Sequence, residues 1–523
     1  MTRLVAVITS ALSIVLAGSP FVSLASAAPN RVHVVVLVVD GLDPEEVTPV
    51  TMPTLDALKS SGTWYQQARS VMVAETIPNH VAMMTGAYPK RNGIPVNKYW
   101  NRRTNGEVGA DMKKPGLLEA KTLFTAIDRQ CPGLRTASVL SKDYLFGIFR
   151  SGAGQSSADY HWDNRPFVIP GSGHAPDNVT VEEALGQINQ EPDLLFVSLG
   201  DVDRSGHVDP TEPIVTNPAL RTLVLQNTDL QVRRIVTKLQ EQEMWEDTVM
   251  IVVSDHSMDY STPESFISLD AVFSEDERVA GTYEVVQNGG IDNVYVKPRF
   301  AGDEKHRLLK RMRALALRTE GVKEAFYRRL NRVHRPGPTV PNGWRINHRR
   351  VGDLIATVEP GYRFSDPDSF SNPIPGNHGH GPTRHSVALV TGGSPLVRER
   401  DVAPSRPGKV NPANDTRVLK EQSEQVDVGV TAAWLLGIKD PGRSSARGPQ
   451  FQGRVLSEAF TDRPRRACSK SSVSFNNTST DVRYGTRNLP PLLFLAILLM
   501  LGAGVLFGNR YQRAATRTGT STE

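Results

Sequence analysis

The chain has 523 residues, 39% of them hydrophobic, which is enough for a large core and more than one lobe. Its net charge of +5 is unevenly spread: from Arg463 onwards nine Lys/Arg face two Asp/Glu, and Arg3 adds another cation, leaving about −3 for the middle. A body with that charge has no electrostatic case for binding a nucleic-acid polymer.

Residues 1–28 read as a secretory signal: Arg3, then the apolar run Leu4–Leu16, then the small cleavage-type residues Ala25-Ser26-Ala27. Arg31–Val39 is the first strand, an almost continuous apolar run too short for a helix, and it ends in Asp40-Gly41. Met52–Ser61 carries a helical pattern closed by Gly62, and Thr76–Thr85 is a second helix with Pro78 in its first turn. Thr136–Leu140 and Leu194–Leu199 are further strands. The amphipathic helix Thr222–Gln242 leads into the strand Met250–Val253, which ends by displaying Asp255-His256. Strand and helix in alternation predict an α/β fold, a mainly parallel sheet with helices on both faces.

Between residues 270 and 375 the rhythm changes. A short strand-like piece (Asn293–Val296), a basic helix (Glu304–Leu317) and loops rich in Pro, Gly and Arg mark an inserted cap subdomain. Ser386–Thr391 returns to the core sheet and Val426–Leu436 is the last helix of a body covering 29–462. A polar stalk, 463–488, precedes Leu489–Gly508, long and apolar enough to span a bilayer. Arg510, Arg513 and Arg517 place the tail 509–523 on the cytoplasmic side and the body outside the cell membrane. Cys131 and Cys468 are the two cysteines; an oxidising compartment permits a bond, but the position of Cys468 in the stalk favours two unpaired thiols.

Carboxylates and imidazoles collect at the strand ends: Asp40; Asp203 and His207 after Leu194–Leu199; Asp255 and His256; and His378 before Ser386–Thr391. The carboxyl edge of an open α/β sheet is where ligands bind. Oxygen and imidazole donors without thiolate suit catalytic zinc, with manganese an alternative, and six ligands suit two ions. Two such ions clamp the attacking and leaving oxygens of an in-line displacement. Thr76, at a helix start where an anion is favoured, is the candidate nucleophile, although the same position suits an N-cap. Asn79 is the candidate donor to the phosphoryl oxygens. No Arg or Lys stands beside Thr76 in the sequence, which favours singly charged diesters over monoesters.

The set Val39-Asp40-Gly41, Thr76-x-Pro78-Asn79-His80, Asp203-x-x-Gly206-His207, Ser254-Asp255-His256-x-Met258 and Gly376-x-His378-Gly379 resembles the alkaline phosphatase superfamily, most closely its nucleotide pyrophosphatase/phosphodiesterase branch. The resemblance runs over roughly Val32–Thr391. It implies an alkaline phosphatase-like fold, one zinc held by Asp203, His207 and His378, and another held by Asp40, Thr76, Asp255 and His256. Thr76 would attack phosphorus to give a phosphothreonine, with Asn79 steadying the transition state. Asp201 competes with Asp203 as ligand and His380 with His378; His80 fits a supporting or packing role. Tyr99, by stacking on a base, and Lys142 are candidate substrate contacts.

The expectation is a membrane-anchored, extracytoplasmic two-zinc phosphodiesterase or nucleotide pyrophosphatase acting on nucleotide-type small molecules. The alternatives are a phosphomonoesterase or a phosphonoacetate-type phosphonate hydrolase, with Lys142 meeting a carboxylate, or a non-catalytic surface binding protein. A sulfatase is disfavoured, because Thr76 stands where a cysteine or serine would be needed.

Overall fold

The computed structural model describes residues 31–464 and Cys468, apart from 105, 153, 170–171, 208–216, 263, 329–337, 366–375, 404–421 and 443–447. The signal segment, most of the stalk, Leu489–Gly508 and the arginine-bearing tail lie outside the described residues. Among the described residues, no helix is long and apolar enough to cross a membrane.

The central sheet takes, in chain order, β1 (His33–Val39), β2 (Thr63–Tyr65), β3 (Thr136–Leu140), β4 (Tyr160–His161), β5 (Leu194–Leu199) and β6 (Thr248–Val253). A second sheet holds β7 (Tyr283–Asn288), β8 (Ile291–Val296), β9 (Val322–Tyr327) and β10 (Leu354–Val358), and the chain then returns through β11 (Ala388–Thr391) and β12 (Arg400–Val402). The central sheet runs β12-β2-β11-β6-β1-β5-β3-β4. From β6 to β4 every neighbouring pair is parallel, whereas β11 is antiparallel to both β6 and β2.

β1 explains the layering. Its seven residues are buried on both faces, as a central parallel strand requires. Val34, Val36 and Val38 share a core with Ile77 and Val81 of helix Thr76–Thr85 and with Val428 and Ala432 of helix Gln425–Leu435. Val35, Leu37 and Val39 face Leu55 of helix Pro53–Ser60 and Val232, Ile235 and Leu239 of helix Asn217–Glu241. Helices therefore cover both faces, and the period-2 alternation of β1 divides its side chains between two cores.

The second sheet, ordered β7-β8-β10-β9 and antiparallel throughout, has a core of its own. The basic helix, Gly302–Ala316, packs Leu308, Leu309, Met312 and Ala316 into it. Not all of its basic side chains are solvated: Lys305 ion-pairs with buried Asp353 at 2.8 Å, and Arg328 (3.1 Å) and Arg102 join the same carboxylate.

The cysteines are not free thiols. Cys131, which closes helix Leu123–Gln130, is disulfide-bonded to Cys468 across a sequence separation of 337, with the two Cα atoms 5.7 Å apart. Sequence could not reveal this, because the pairing depends on where a polar segment lies against the folded body.

Candidate metal centre and nucleophile

Four loops at the carboxyl ends of β1, β5 and β6 and before β11 converge. Asp40 follows β1 directly. Gly41 then turns with φ +74°, and a Cβ there would lie 2.8 Å from the Cα of Asp203, so a glycine lets the β1 and β5 loops touch. After β5 the short helix Asp201–Gly206 begins. Asp203 lies within it and His207 caps its end, an i,i+4 pair on one face. Asp255 and His256 follow β6. His378 is delivered by the two-residue strand Gly376–Asn377, paired with Asp259–Tyr260; a Cβ on Gly376 would collide with the carbonyl of Gly206.

These side chains form two groups, Asp203/His207/His378 and Asp40/Asp255/His256, whose potential ligand atoms lie within 4.8 Å of one another in each group. The groups share a wall, since the rings of His256 and His378 stack with centroids 3.6 Å apart. Each histidine is fixed through Nδ1, which donates to a backbone carbonyl: Gly376 for His207 (2.7 Å), Ser257 for His256 (3.1 Å) and Ala74 for His378 (3.0 Å). That tautomer leaves each Nε2 lone pair turned to the carboxylates. Asp40 Oδ1, Asp203 Oδ1 and Asp255 Oδ2 are buried without a hydrogen-bond donor among the described residues. Buried carboxylate oxygens in that state are costly unless a cation meets them, so the donor set fits divalent ions.

Burial and mutual repulsion drive the titrations. Burial, reinforced by Asp255, pushes Asp40 well above the usual carboxylate range. Burial acts on Asp203 too, but Lys142 and His207 outweigh it and hold that carboxyl well below the range. Burial and the adjacent His256 hold His378 well below an ordinary imidazole, which keeps it neutral as a ligand must be.

Thr76 is the first residue of helix Thr76–Thr85, with Glu75 rather than Thr76 as its N-cap. Its hydroxyl lies 3.4 Å from His256 Nε2 and 3.2 Å from Lys142 Nζ, so it borders the metal-type donors. Residues 34–381 match the family model of type I phosphodiesterases/nucleotide pyrophosphatases. The chain belongs to that family. Among its relatives, human ectonucleotide pyrophosphatase/phosphodiesterase family member 5 is 22% identical over 70% of each chain, and a Xenopus laevis bis(5'-adenosyl)-triphosphatase is 19% identical over 68% of this chain and 70% of its own. The fold matches the solved human ectonucleotide pyrophosphatase/phosphodiesterase 5, with TM-score 0.62 and 16% identity over 82% of this chain and 100% of that one. The murine protein, solved as an inactive threonine-to-alanine variant in complex with AMP, aligns with TM-score 0.60 and the same identity and coverage.

Within this phosphodiesterase-family centre the competing residues separate. Asp201 pairs with His174 at 3.1 Å, and His380 turns to Asp259 at 2.9 Å, so neither joins the two groups. His80 sits behind Thr76, 2.9 Å from its carbonyl and 2.9 Å from Ser198 Oγ. Tyr99 is buried in the core and lines a cavity of about 390 Å³ with Trp100 and Arg102.

Two readings need correction. Asn79 is fully buried with its amide consumed by backbone: Oδ1 accepts from Val71 N–H at 2.8 Å, and Nδ2 donates to Glu75 (2.9 Å) and Val73 (3.1 Å) carbonyls. It shapes the approach to Thr76 and has no donor left for a substrate. Asn97 stands at the start of the same helix. Its Oδ1 accepts from Ile77 N–H at 2.8 Å, which fixes the carboxamide at the N-terminus of the Thr76 helix, and among the described residues its NH2 has no partner. The second correction concerns the cation beside Thr76. None is adjacent in sequence, but Lys142, from the end of β3, is adjacent in space. Both Asn97 and Lys142 lie far from Thr76 along the chain and carry no local motif.

Proposed function

We propose that the protein is a membrane-anchored, extracytoplasmic phosphodiesterase or nucleotide pyrophosphatase that works through Thr76 with two zinc ions. The observation carrying this reading is the placement of the Thr76 hydroxyl against two adjacent, buried three-ligand groups with unpaired carboxylate oxygens. Asp203, His207 and His378 would hold one ion, and Asp40, Asp255 and His256 the other with Thr76. The ions supply Lewis-acid stabilisation of the charge that develops on the attacking and leaving oxygens. Family membership supports phosphoester hydrolysis, and the relatives named for nucleotide pyrophosphatase or bis(5'-adenosyl)-triphosphatase activity support a nucleotide-type substrate.

Thr76 Oγ1 forms a bond to phosphorus as the bond to the leaving-group oxygen breaks, its proton passing to solvent. Water then attacks the phosphothreonine and restores the hydroxyl. Asn97 Nδ2 donates to a phosphoryl oxygen as charge builds there, the role that the Asn79 amide cannot fill. The Cys131–Cys468 disulfide suits an oxidising compartment outside the cytoplasm, and Leu489–Gly508 is the proposed anchor.

The test is steady-state turnover by the metal-loaded protein of bis(p-nitrophenyl) phosphate, p-nitrophenyl phosphate and the p-nitrophenyl ester of thymidine 5′-monophosphate, alongside Thr76→Ala. Efficient cleavage of the nucleotide ester that vanishes in the variant supports the reading. Metal-loaded protein with no Thr76-dependent turnover would reject it.

A further inference from the structure

Lys142 is the N-cap of helix Asp143–Phe149 and has 1% of its side chain exposed. An ammonium has three N–H donors, and three acceptors surround this one: Asp203 Oδ2 at 2.7 Å, Asp40 Oδ2 at 2.8 Å and Thr76 Oγ1 at 3.2 Å. The two carboxylates come from different metal-type groups, so Lys142 bridges them. It also divides each carboxylate. The Oδ2 atoms face the ammonium, while Oδ1 of Asp40 lies 3.7 Å from His256 Nε2 and Oδ1 of Asp203 lies 3.4 Å from His207 Nε2. Cation binding on the Oδ1 side and the lysine on the Oδ2 side are therefore compatible.

We propose that Lys142 equips this centre for a further activity, the hydrolysis of doubly charged phosphoryl groups, phosphate monoesters and phosphonates, alongside singly charged diesters. The inference rests on Thr76 being the nucleophile. A phosphorus atom joined to Thr76 Oγ1 carries its remaining oxygens one bond further out, within reach of an ammonium that already touches Oγ1. Two divalent cations against three carboxylates leave a single positive charge in excess; Lys142 makes it two, matching a dianion where a diester brings only one negative charge. Its water-excluded position makes that charge count for more than it would at the surface. Lys142 is thus a catalytic residue that also sets the charge preference of the substrate.

The deciding experiment measures kcat/KM for p-nitrophenyl phosphate and bis(p-nitrophenyl) phosphate in the wild type, Lys142→Met and Lys142→Arg, with metal content determined for each. We expect Lys142→Met to lower monoester turnover by ~10²–10³-fold and diester turnover by about tenfold, with both ions retained, and Lys142→Arg to keep part of the monoester activity. An unchanged monoester-to-diester ratio in Lys142→Met overturns the proposal, as does a wild type that cleaves the diester and leaves the monoester untouched. A parallel calorimetric titration of metal-loaded Thr76→Ala, with and without Lys142→Met, uses orthophosphate and dimethyl phosphate as probes. Selective loss of orthophosphate affinity supports the proposal and equal loss of both rejects it. If no ester is hydrolysed by the wild type, the Thr76 reading falls, and this titration still decides whether Lys142 reads the second charge.

Discussion

Two buried acidic clusters in this protein are built on opposite principles. Beside the second sheet, the single carboxylate of Asp353 meets Lys305, Arg328 and Arg102 and also accepts from Val296 N–H at 3.1 Å. At the strand ends of the body, one lysine pairs with two of three crowded carboxylates, and Asp40 Oδ1, Asp203 Oδ1 and Asp255 Oδ2 lack a donor among the described residues. The carboxylates of both clusters are buried alike, so burial alone does not separate structure from function. The balance of charge does. A buried acid with all its partners in place ties distant segments of the chain together, whereas acids short of partners form a site that a cation completes.

The largest consequence of that contrast falls on chemistry. Thr76→Ala is expected to reduce kcat by about 10⁴-fold or more while leaving thermal stability near wild type, measured by steady-state kinetics and calorimetry. Next in size, Asp353→Ala should cost roughly 3–5 kcal/mol in urea unfolding, because it strands buried cations. If that cost proves under 1 kcal/mol, the distinction between the two clusters fails. Asn97→Ala should lower kcat by about 10²–10³-fold, as expected for loss of one donor to developing charge. Asn79→Ala should instead act mainly on stability, since its amide holds three backbone groups. Replacing Cys131 by serine should cost about 2–4 kcal/mol, read as a lowered denaturant midpoint with catalysis intact. The smallest effect is expected for Asp40→Asn in the presence of chelator. There the variant should unfold within about 1 kcal/mol of the metal-free wild type, because removing one of three crowded carboxylates relieves as much repulsion as it loses attraction to Lys142.

The body was legible wherever the chain spells its environment in a short run. The buried strand His33–Val39 and the helix Thr76–Thr85 have strong local signatures, and the helix bounds agree with the sequence reading residue for residue. The strands Thr63–Tyr65 and Arg400–Val402, at one side of the central sheet, have three residues each, too few to show a period, and exist because neighbours supply their hydrogen bonds. The metal-type side chains were legible because each sits immediately beyond an apolar strand or in a compact spacing such as Asp203-x-x-Gly206-His207. Asn97 was not, since tertiary folding alone brings it to the start of the Thr76 helix; the sequence marks Lys142 only as a candidate substrate contact, and its place between Asp40, Asp203 and Thr76 depends on the fold. Asn79 misled for the opposite reason: proximity in sequence to Thr76 turned its amide inward, on to the backbone of its own turn.

The disulfide adds a question of timing. Cys131 and Cys468 are separated by 337 residues, and this chain contains no other cysteine. At a synthesis rate of about 5–20 residues per second, the thiol of Cys131 waits roughly 20–70 s for its partner to emerge. During that interval it has no wrong partner within its own chain. The bond is therefore a late clasp, closed on a body whose sheet has already been synthesised, and the only mispairing open to the nascent protein is with another molecule.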